Sequence, residues 1–383
     1  MLRLIQTFRS ITSPPVLRLL GWSLVLLVAG CVDPYRPPEI TAPGSYLVVN
    51  GFFDSAPGST TSIRLTRTQN LADSKAPTVE TKAQVTIESM YHGNYPLQET
   101  RNGTYSLTGV TPLINETYRL RIKTAQGKEY VSEYVPVVTT PAIDSVNWFV
   151  ENDGVQINVN THDPRGNTRY YRWDYNETWE FTAAYQSSLE LINNQLVGRT
   201  EDAYRCWTGD SSSTILLSTS ARLSQDIISQ RPLMFIPGQS IKLGIRYSML
   251  VRQYGLTKEA YDYYEQLAKI TQSVGSLFDP QPSQITGNIH SVSNSADLVL
   301  GFFRVGSVTS KRIFIQKAQL PPWYPQTGNT LCQTDTMTLD EIRQNQPGGV
   351  VGYFDQSQYL TSSLYCVDCR LRGTNKRPAF WSN

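Results

Sequence analysis

From Ser45 onward the chain alternates apolar and polar residues in short runs broken by turns, a period of two that a strand can use and a helix cannot. Ser62–Thr68 sets Ile63 and Leu65 against Arg64 and Thr66. Ala83, Val85 and Ile87 alternate with Gln84, Thr86 and Glu88, and Tyr118, Leu120 and Ile122 alternate with Arg119, Arg121 and Lys123. Asn102-Gly103 and Gln126-Gly127 are turn signals between such runs. Six or seven strands in about 95 residues predict an immunoglobulin-like sandwich over 45–140, with Pro136–Pro141 as the linker out of it.

The same period continues over 141–319 and predicts a second, fibronectin-type-like sandwich. Val155, Ile157 and Val159 alternate with polar neighbours, and Asp163–Asn167 reads as a turn. Tyr171, Trp173, Tyr175, Trp179 and Phe181 share one strand face, assigned to the core. Arg172, Asp174, Asn176 and Glu180 share the other, assigned to solvent. Ile241, Leu243, Ile245, Tyr247, Met249 and Val251 repeat the pattern. Between these, 182–235 is polar and reads as surface loops. Its Tyr185, Tyr204 and Trp207 are the candidate anchors for a partner contact, since aromatics dominate interface hot spots.

One helix interrupts the strands at 257–274. Thr257 can cap it and Leu256 can staple onto Tyr261. Ala260, Tyr263, Tyr264, Leu267, Ile270 and Val274 form its apolar stripe, and Gly275 stops it. The Cys-containing extension 320–383 carries one short capping-box helix at Thr338–Glu341, with Phe380 and Trp381 as expected buried anchors. The expected fold class is therefore mainly β: tandem sandwiches, immunoglobulin-like then fibronectin-type-like, one inserted helix and a disulfide-bonded C-terminal tail.

The N-terminus has different chemistry. Residues 1–18 carry Arg3, Arg9 and Arg18 and no acid, and Leu19–Ala29 is an apolar run of 11 residues. That is too short to span a bilayer and right for the apolar part of a signal peptide. It ends in Val28-Ala29-Gly30-Cys31, the bacterial lipobox pattern. The pattern predicts a lipoprotein signal peptide at 1–30 and lipidation of Cys31. The following 31–44, with Pro34, Pro37 and Pro38, reads as a stiff tether. Each acyl chain on Cys31 adds about 0.8 kcal/mol per buried CH₂, so two or three chains would anchor stably.

Four cysteines remain: Cys206, Cys332, Cys366 and Cys369. An even number in an exported chain predicts two disulfides, with three pairings open. Cys366–Cys369 also has the CxxC spacing of a redox pair or half a zinc site. The first needs a βαβ setting and the second another tight Cys pair, and neither is visible. No metal and no cofactor is expected.

Charge excludes another class. Of 34 basic residues, three lie in the leader, leaving 31 against 32 acidic ones. So balanced a chain gives no case for nucleic-acid binding. His92, His162 and His290 stand in separate segments, and no HExxH, P-loop, GxSxG or dinucleotide fingerprint occurs. Glu177 and Glu180 have opposite strand parity, which argues against a glycosidase pair. No catalytic residue is assigned.

Several strings carry a family resemblance. They are Tyr170–Trp173 with Glu177–Glu180, Ile245–Tyr254, Gly275–Pro282 with Gly287–Ile289, and Cys366–Cys369 followed by Pro378, Phe380 and Trp381. With them the chain resembles the Bacteroidetes outer-membrane lipoproteins grouped as domain of unknown function 4249, from about residue 33 to the end. The resemblance implies an outer-membrane, cell-surface lipoprotein, and with no catalytic motif in the sequence it is not expected to be an enzyme. Its implied role is accessory to, or ligand-capturing for, a TonB-dependent β-barrel transporter. Two alternatives remain: a structural or assembly subunit of a larger outer-membrane complex, and an enzyme with an unrecognised site.

Overall fold

The computed structural model describes residues 45–69, 76–272, 285, 287–324, 331–346 and 348–381. The expected signal peptide, Cys31, the expected tether, Val274 and the Gly275–Pro282 string lie outside the described residues. Tyr46–Asn383 makes one compact unit.

Eight strands follow Tyr46 in close succession: β1 (Leu47–Asp54), β2 (Thr60–Arg67), β3 (Gln84–Ser89), β4 (Asn94–Arg101), β5 (Thr104–Thr108), β6 (Thr117–Lys123), β7 (Glu129–Ser132) and β8 (Val135–Val138). The alternating residues sit as their period requires, with Ile63, Leu65, Val85, Ile87, Leu120 and Ile122 buried in one core. β9 (Ile143–Glu151), β10 (Gly154–His162), β11 (Tyr170–Thr182), β12 (Leu189–Ile192), β13 (Gln195–Gly198), β14 (Arg205–Ser211), β15 (Leu216–Thr219), β16 (Ile227–Pro237) and β17 (Arg246–Leu256) come next, then helix α1 (Lys258–Gln272). β18 (Ile289–Ser291), β19 (Val299–Leu300), β20 (Val305–Gly306) and β21 (Val308–Gln316) follow. The chain ends in β22 (Asp335–Thr338), α2 (Leu339–Asn345), β23 (Gly349–Tyr353), β24 (Gln358–Ser362) and α3 (Leu364–Val367).

The first body is not a sandwich. Its pairing order β6-β3-β4-β5-β2-β1-β20-β8 returns to β6 and closes an eight-stranded barrel. Two local facts close it. β6 pairs with β7 through Arg121–Lys123 but with β8 through Thr117 and Tyr118, so one strand serves two neighbours on the same side. The short β20 then wedges between β1 and β8, with Val305 opposite both Phe53 and Val137. Phe303 and Val305 complete the barrel core. Tandem sandwiches are therefore overturned. Alternation shows which face of a strand is wet, but a closed sheet and two facing sheets alternate alike.

The second body places a three-stranded sheet, β16-β10-β9, against a larger sheet, β14-β11-β17-β21, with β15 on the other half of the β11 edge. Val155, Ile157 and Val159 meet Tyr171, Trp173, Tyr247 and Met249 between them. A third small sheet, β13-β12-β23-β24-β22, has its own core of Leu189, Ile342 and Val350. So 182–235 is not a set of loops: it contains β12 to β15 and most of β16.

The outer face of β11 is only partly solvated. Its Arg172 guanidinium lies 4.8 Å from the ring centres of Tyr254 and Tyr264, under α1. Its Glu180 is buried and accepts from the Trp381 indole at 3.2 Å. Trp381 is buried, while Phe380 remains 39% exposed. Along α1, Thr257 caps the Ala260 N–H at 3.2 Å and Ala260 is buried, but Tyr263, Leu267 and Ile270 are only half-buried. The helix lies on the outside of the sheet instead of inside a core. Its contacts come from Tyr254, Leu256, Phe302 and Val308.

Two disulfides tie the C-terminal segment down. Cys206 bonds Cys369 and Cys332 bonds Cys366, with Cα–Cα distances of 5.8 and 5.6 Å. Each cysteine of the CxxC pair thus bonds a distant partner.

Candidate functional site

A cluster of polar groups on open space surrounds the loop between β10 and β11. Asp163 shapes it: its carboxylate accepts from the backbone N–H groups of Arg165, Asn167 and Thr168, each at 3.0 Å. Gly166 takes φ +65°, in the left-handed region where a Cβ is strained. With its acid committed to the backbone, the loop holds Arg165 and Arg169 outward.

Two cavities flank this loop and share Asp163, Arg165 and Arg169. The larger, about 560 Å³, lies between β8 of the barrel and the start of α1, with Ile114, Val137, Leu256 and Lys258 in its walls. The smaller, about 440 Å³, is completed by His162, Ser224, Asp226 and Ile227. Behind it Asp226 is buried and accepts from the Tyr171 hydroxyl at 2.8 Å and from the Ser220 hydroxyl. Burial, then the Asp226 carboxylate, drive the Tyr171 ionisation far above its ordinary range, so it stays a donor. His162 sits 2.8 Å from Asp144, whose hydrogen bond raises the imidazole pKa.

This chemistry fits binding. Tyr171, Ser220, Asp163 and Asp226 are spent on one another or on the backbone. Neither Arg165 nor Arg169 makes an ion pair among the described residues, so the two guanidiniums are the open groups. Arg169 has only a long contact, 3.4 Å, to the Leu223 carbonyl. Among the described residues no group of three or more His, Cys, Asp or Glu stands where it could hold a metal ion.

A further cavity of about 580 Å³ opens on the third sheet. Its charges already face each other: Arg370 to Asp368 at 2.7 Å and Arg199 to Glu190 at 3.7 Å. Arg370 holds the Asp368 carboxyl below its usual range.

Of the expected partner anchors, Tyr185 and Tyr204 are half-buried and Trp207 is buried. The Tyr185 hydroxyl donates to the Cys332 carbonyl at 2.9 Å. Tyr204 packs on Phe181, Cys206 and Cys369. Trp207 is buried, and its backbone pairs with Thr374. All three touch the disulfide-bound C-terminal segment. Glu177 accepts from Lys242 at 2.9 Å and from the Tyr247 hydroxyl at 2.7 Å, and burial and that acid push the Tyr247 ionisation far up. From sequence, Arg165 is only part of a turn and Arg169 is not singled out. No local signal marks them, because their cavities form where β8, β11 and α1 meet.

A family model described as domain of unknown function (DUF4249) matches residues 32–312. No curated protein matches the sequence. Among solved structures, chitinase ChiA74 from Bacillus thuringiensis aligns at 12% identity over 55% of this chain and 33% of its own, with a TM-score of 0.16. The chain spans about a third of that protein's length, and so low a similarity carries no argument. The family match extends over most of the 383 residues and both main β bodies, and by it the chain belongs to the DUF4249 family.

Proposed function

We propose that this chain is a lipid-anchored protein of the outer membrane, exposed at the cell surface. There it acts as a non-enzymatic, ligand-capturing accessory of a TonB-dependent β-barrel. The observation that carries the reading is Val28-Ala29-Gly30-Cys31 closing an apolar run of 11 residues. The disulfides support it, since such bonds persist in an oxidising compartment. The cavities beside Asp163 support capture over catalysis, because what they offer is fixed donors on a rigid loop. An anchored protein gains effective concentration for a barrel in the same membrane, so a weak interface suffices.

Two measurements test it. Cys31→Ser should release the chain from the membrane fraction or leave the leader uncleaved; a variant still anchored and matured would end the lipoprotein reading. Pull-down of the native protein from detergent-solubilised outer membranes should recover a TonB-dependent barrel. Recovery of other subunits and no barrel would favour an assembly role instead.

A further inference from the structure

Two loops at one end of the barrel expose apolar side chains together. The turn after β3 carries Met90 and Tyr91, 42% and 78% exposed, and the turn before β6 carries Leu113 and Ile114, 52% and 70% exposed. The loops are held side by side. The Met90 N–H donates to the Thr117 carbonyl at 3.1 Å, and the Leu113 N–H donates to the Tyr118 hydroxyl at 2.8 Å. Beneath them Glu116 is buried against His92 and the Thr117 N–H. Burial opposes its ionisation, but those bonds prevail and hold the carboxyl below its ordinary range. Fixed turns with satisfied polar groups thus present four large apolar side chains to solvent. A soluble surface gains nothing from such a patch, and a patch of this kind marks contact with something apolar.

The rim of the patch is basic. Ile114 also lines the 560 Å³ cavity, whose other walls carry Arg165, Arg169 and Lys258. The one acid in that lining, Asp163, is committed to three backbone N–H groups. Lys258 pairs with Asp262 on its own helix, leaving the two guanidiniums open. Apolar tips beside unpaired arginines complement an anionic lipid surface: the tips reach the acyl boundary while the guanidiniums meet phosphate.

We infer that this barrel end, Met90, Tyr91, Leu113 and Ile114 with Arg165 and Arg169 behind them, docks flat on an anionic lipid bilayer. The inference deepens the lipid-anchored reading and rests on it. The anchor permits the orientation. From Cys31 to Ser45 the chain can extend to about 46–50 Å. The eight residues of β1 span only about 27 Å. So although β1 enters at the other end of the barrel, the tether is long enough to run its height. One end of the protein is then held by acyl chains and the other by a second, weaker contact, and together they set which face the cavities turn toward.

The test uses the chain from Val32 onward, without lipid, so that docking is read separately from anchoring. Co-sedimentation is measured with phosphatidylcholine vesicles and with mixed phosphatidylcholine–phosphatidylglycerol vesicles. Binding is expected to the mixed vesicles, weakening as salt rises. Each of Arg165→Ala and Arg169→Ala should weaken it about fivefold. Tyr91→Asp with Ile114→Asp, at exposed positions, should weaken it about tenfold or more with thermal unfolding unchanged. The proposal is overturned by no binding to mixed vesicles, by binding indifferent to these substitutions, or by binding of inorganic phosphate without vesicles. It is equally overturned if the patch variants lose only a protein captured from solubilised membranes. Release of wild type from membranes with vesicle binding intact would sink the anchor and leave the docking surface standing.

Discussion

Gln253→Leu tests how the second body is locked. Gln253 is fully buried on β17, directly opposite Trp173 on β11. Its side-chain oxygen accepts from the Trp173 indole N–H at 2.8 Å. Its amide donates to the Pro141 carbonyl and to the Thr161 hydroxyl, each at 2.9 Å. Leucine nearly preserves the volume and removes all three bonds. Pro141 keeps a second donor, Thr309, and Thr161 still donates to the Ala142 carbonyl. The indole N–H, on a residue with no exposure, keeps nothing. That orphaned donor costs about 1–3 kcal/mol, and the two other lost bonds add about 0.5–1 kcal/mol each. We expect a loss of about 2–5 kcal/mol, read from urea unfolding followed by tryptophan fluorescence. Trp173→Phe removes the donor itself, so in the double variant the two costs should fall short of their sum by about 1 kcal/mol or more. A single variant within about 0.5 kcal/mol of wild type, or strict additivity, would refute the reasoning.

Peptide mapping without reduction should find Cys206 joined to Cys369 and Cys332 to Cys366; a Cys366–Cys369 pair would contradict the fold of the C-terminal segment. Cys369→Ser with Cys206→Ser opens a loop of 163 residues and should cost about 2–5 kcal/mol by thermal melting. Leu267→Ala, on a half-buried helix face, should cost about 1–2 kcal/mol, below the range for a full core site, and a larger loss in urea would mean α1 is more deeply covered. Glu88 accepts from Arg119 and Arg121 at 2.6 Å each, and although burial opposes it these bonds lower its pKa. Its contribution is therefore complete above its ordinary value and lost as pH falls through the lowered one. The stability gap between wild type and Glu88→Gln should be present at pH 7 and close in strong acid, and a gap that grew on acidification would reverse the sign.

Much of the strand pattern is legible because burial on one face imposes a period of two. Ile63 and Leu65, or Val155 and Ile157, announce their strands without help from the rest of the chain. What closes the barrel does not: β20 is two residues long, and its place depends on edges offered by β1 and β8. Polar residues in core rows hide as well. Gln253 and Glu177 break the apolar series because their partners, Trp173 and Tyr247, satisfy them across the sheet. The hairpin of β12 and β13 did leave a signal. Asn193 and Asn194 both take positive φ, 50° and 62°, as a tight two-residue turn demands, within a stretch whose polarity suggested loops. The cavities beside Arg165 and Arg169 left none, since strands and a helix far apart in sequence build their walls.

The wedge of β20 between β1 and β8 imposes an order of events on biosynthesis. A chain made N-terminus first delivers β1 through β8 long before Val305 emerges. Until then Phe53 and Val137 have no strand to share, and the nascent barrel carries open edges while β9 to β17 of the second body are made. Such edges are templates for strand addition from other chains. Truncation before Val305 should therefore yield an aggregating fragment in place of a smaller folded domain, because the ring still lacks its last stave.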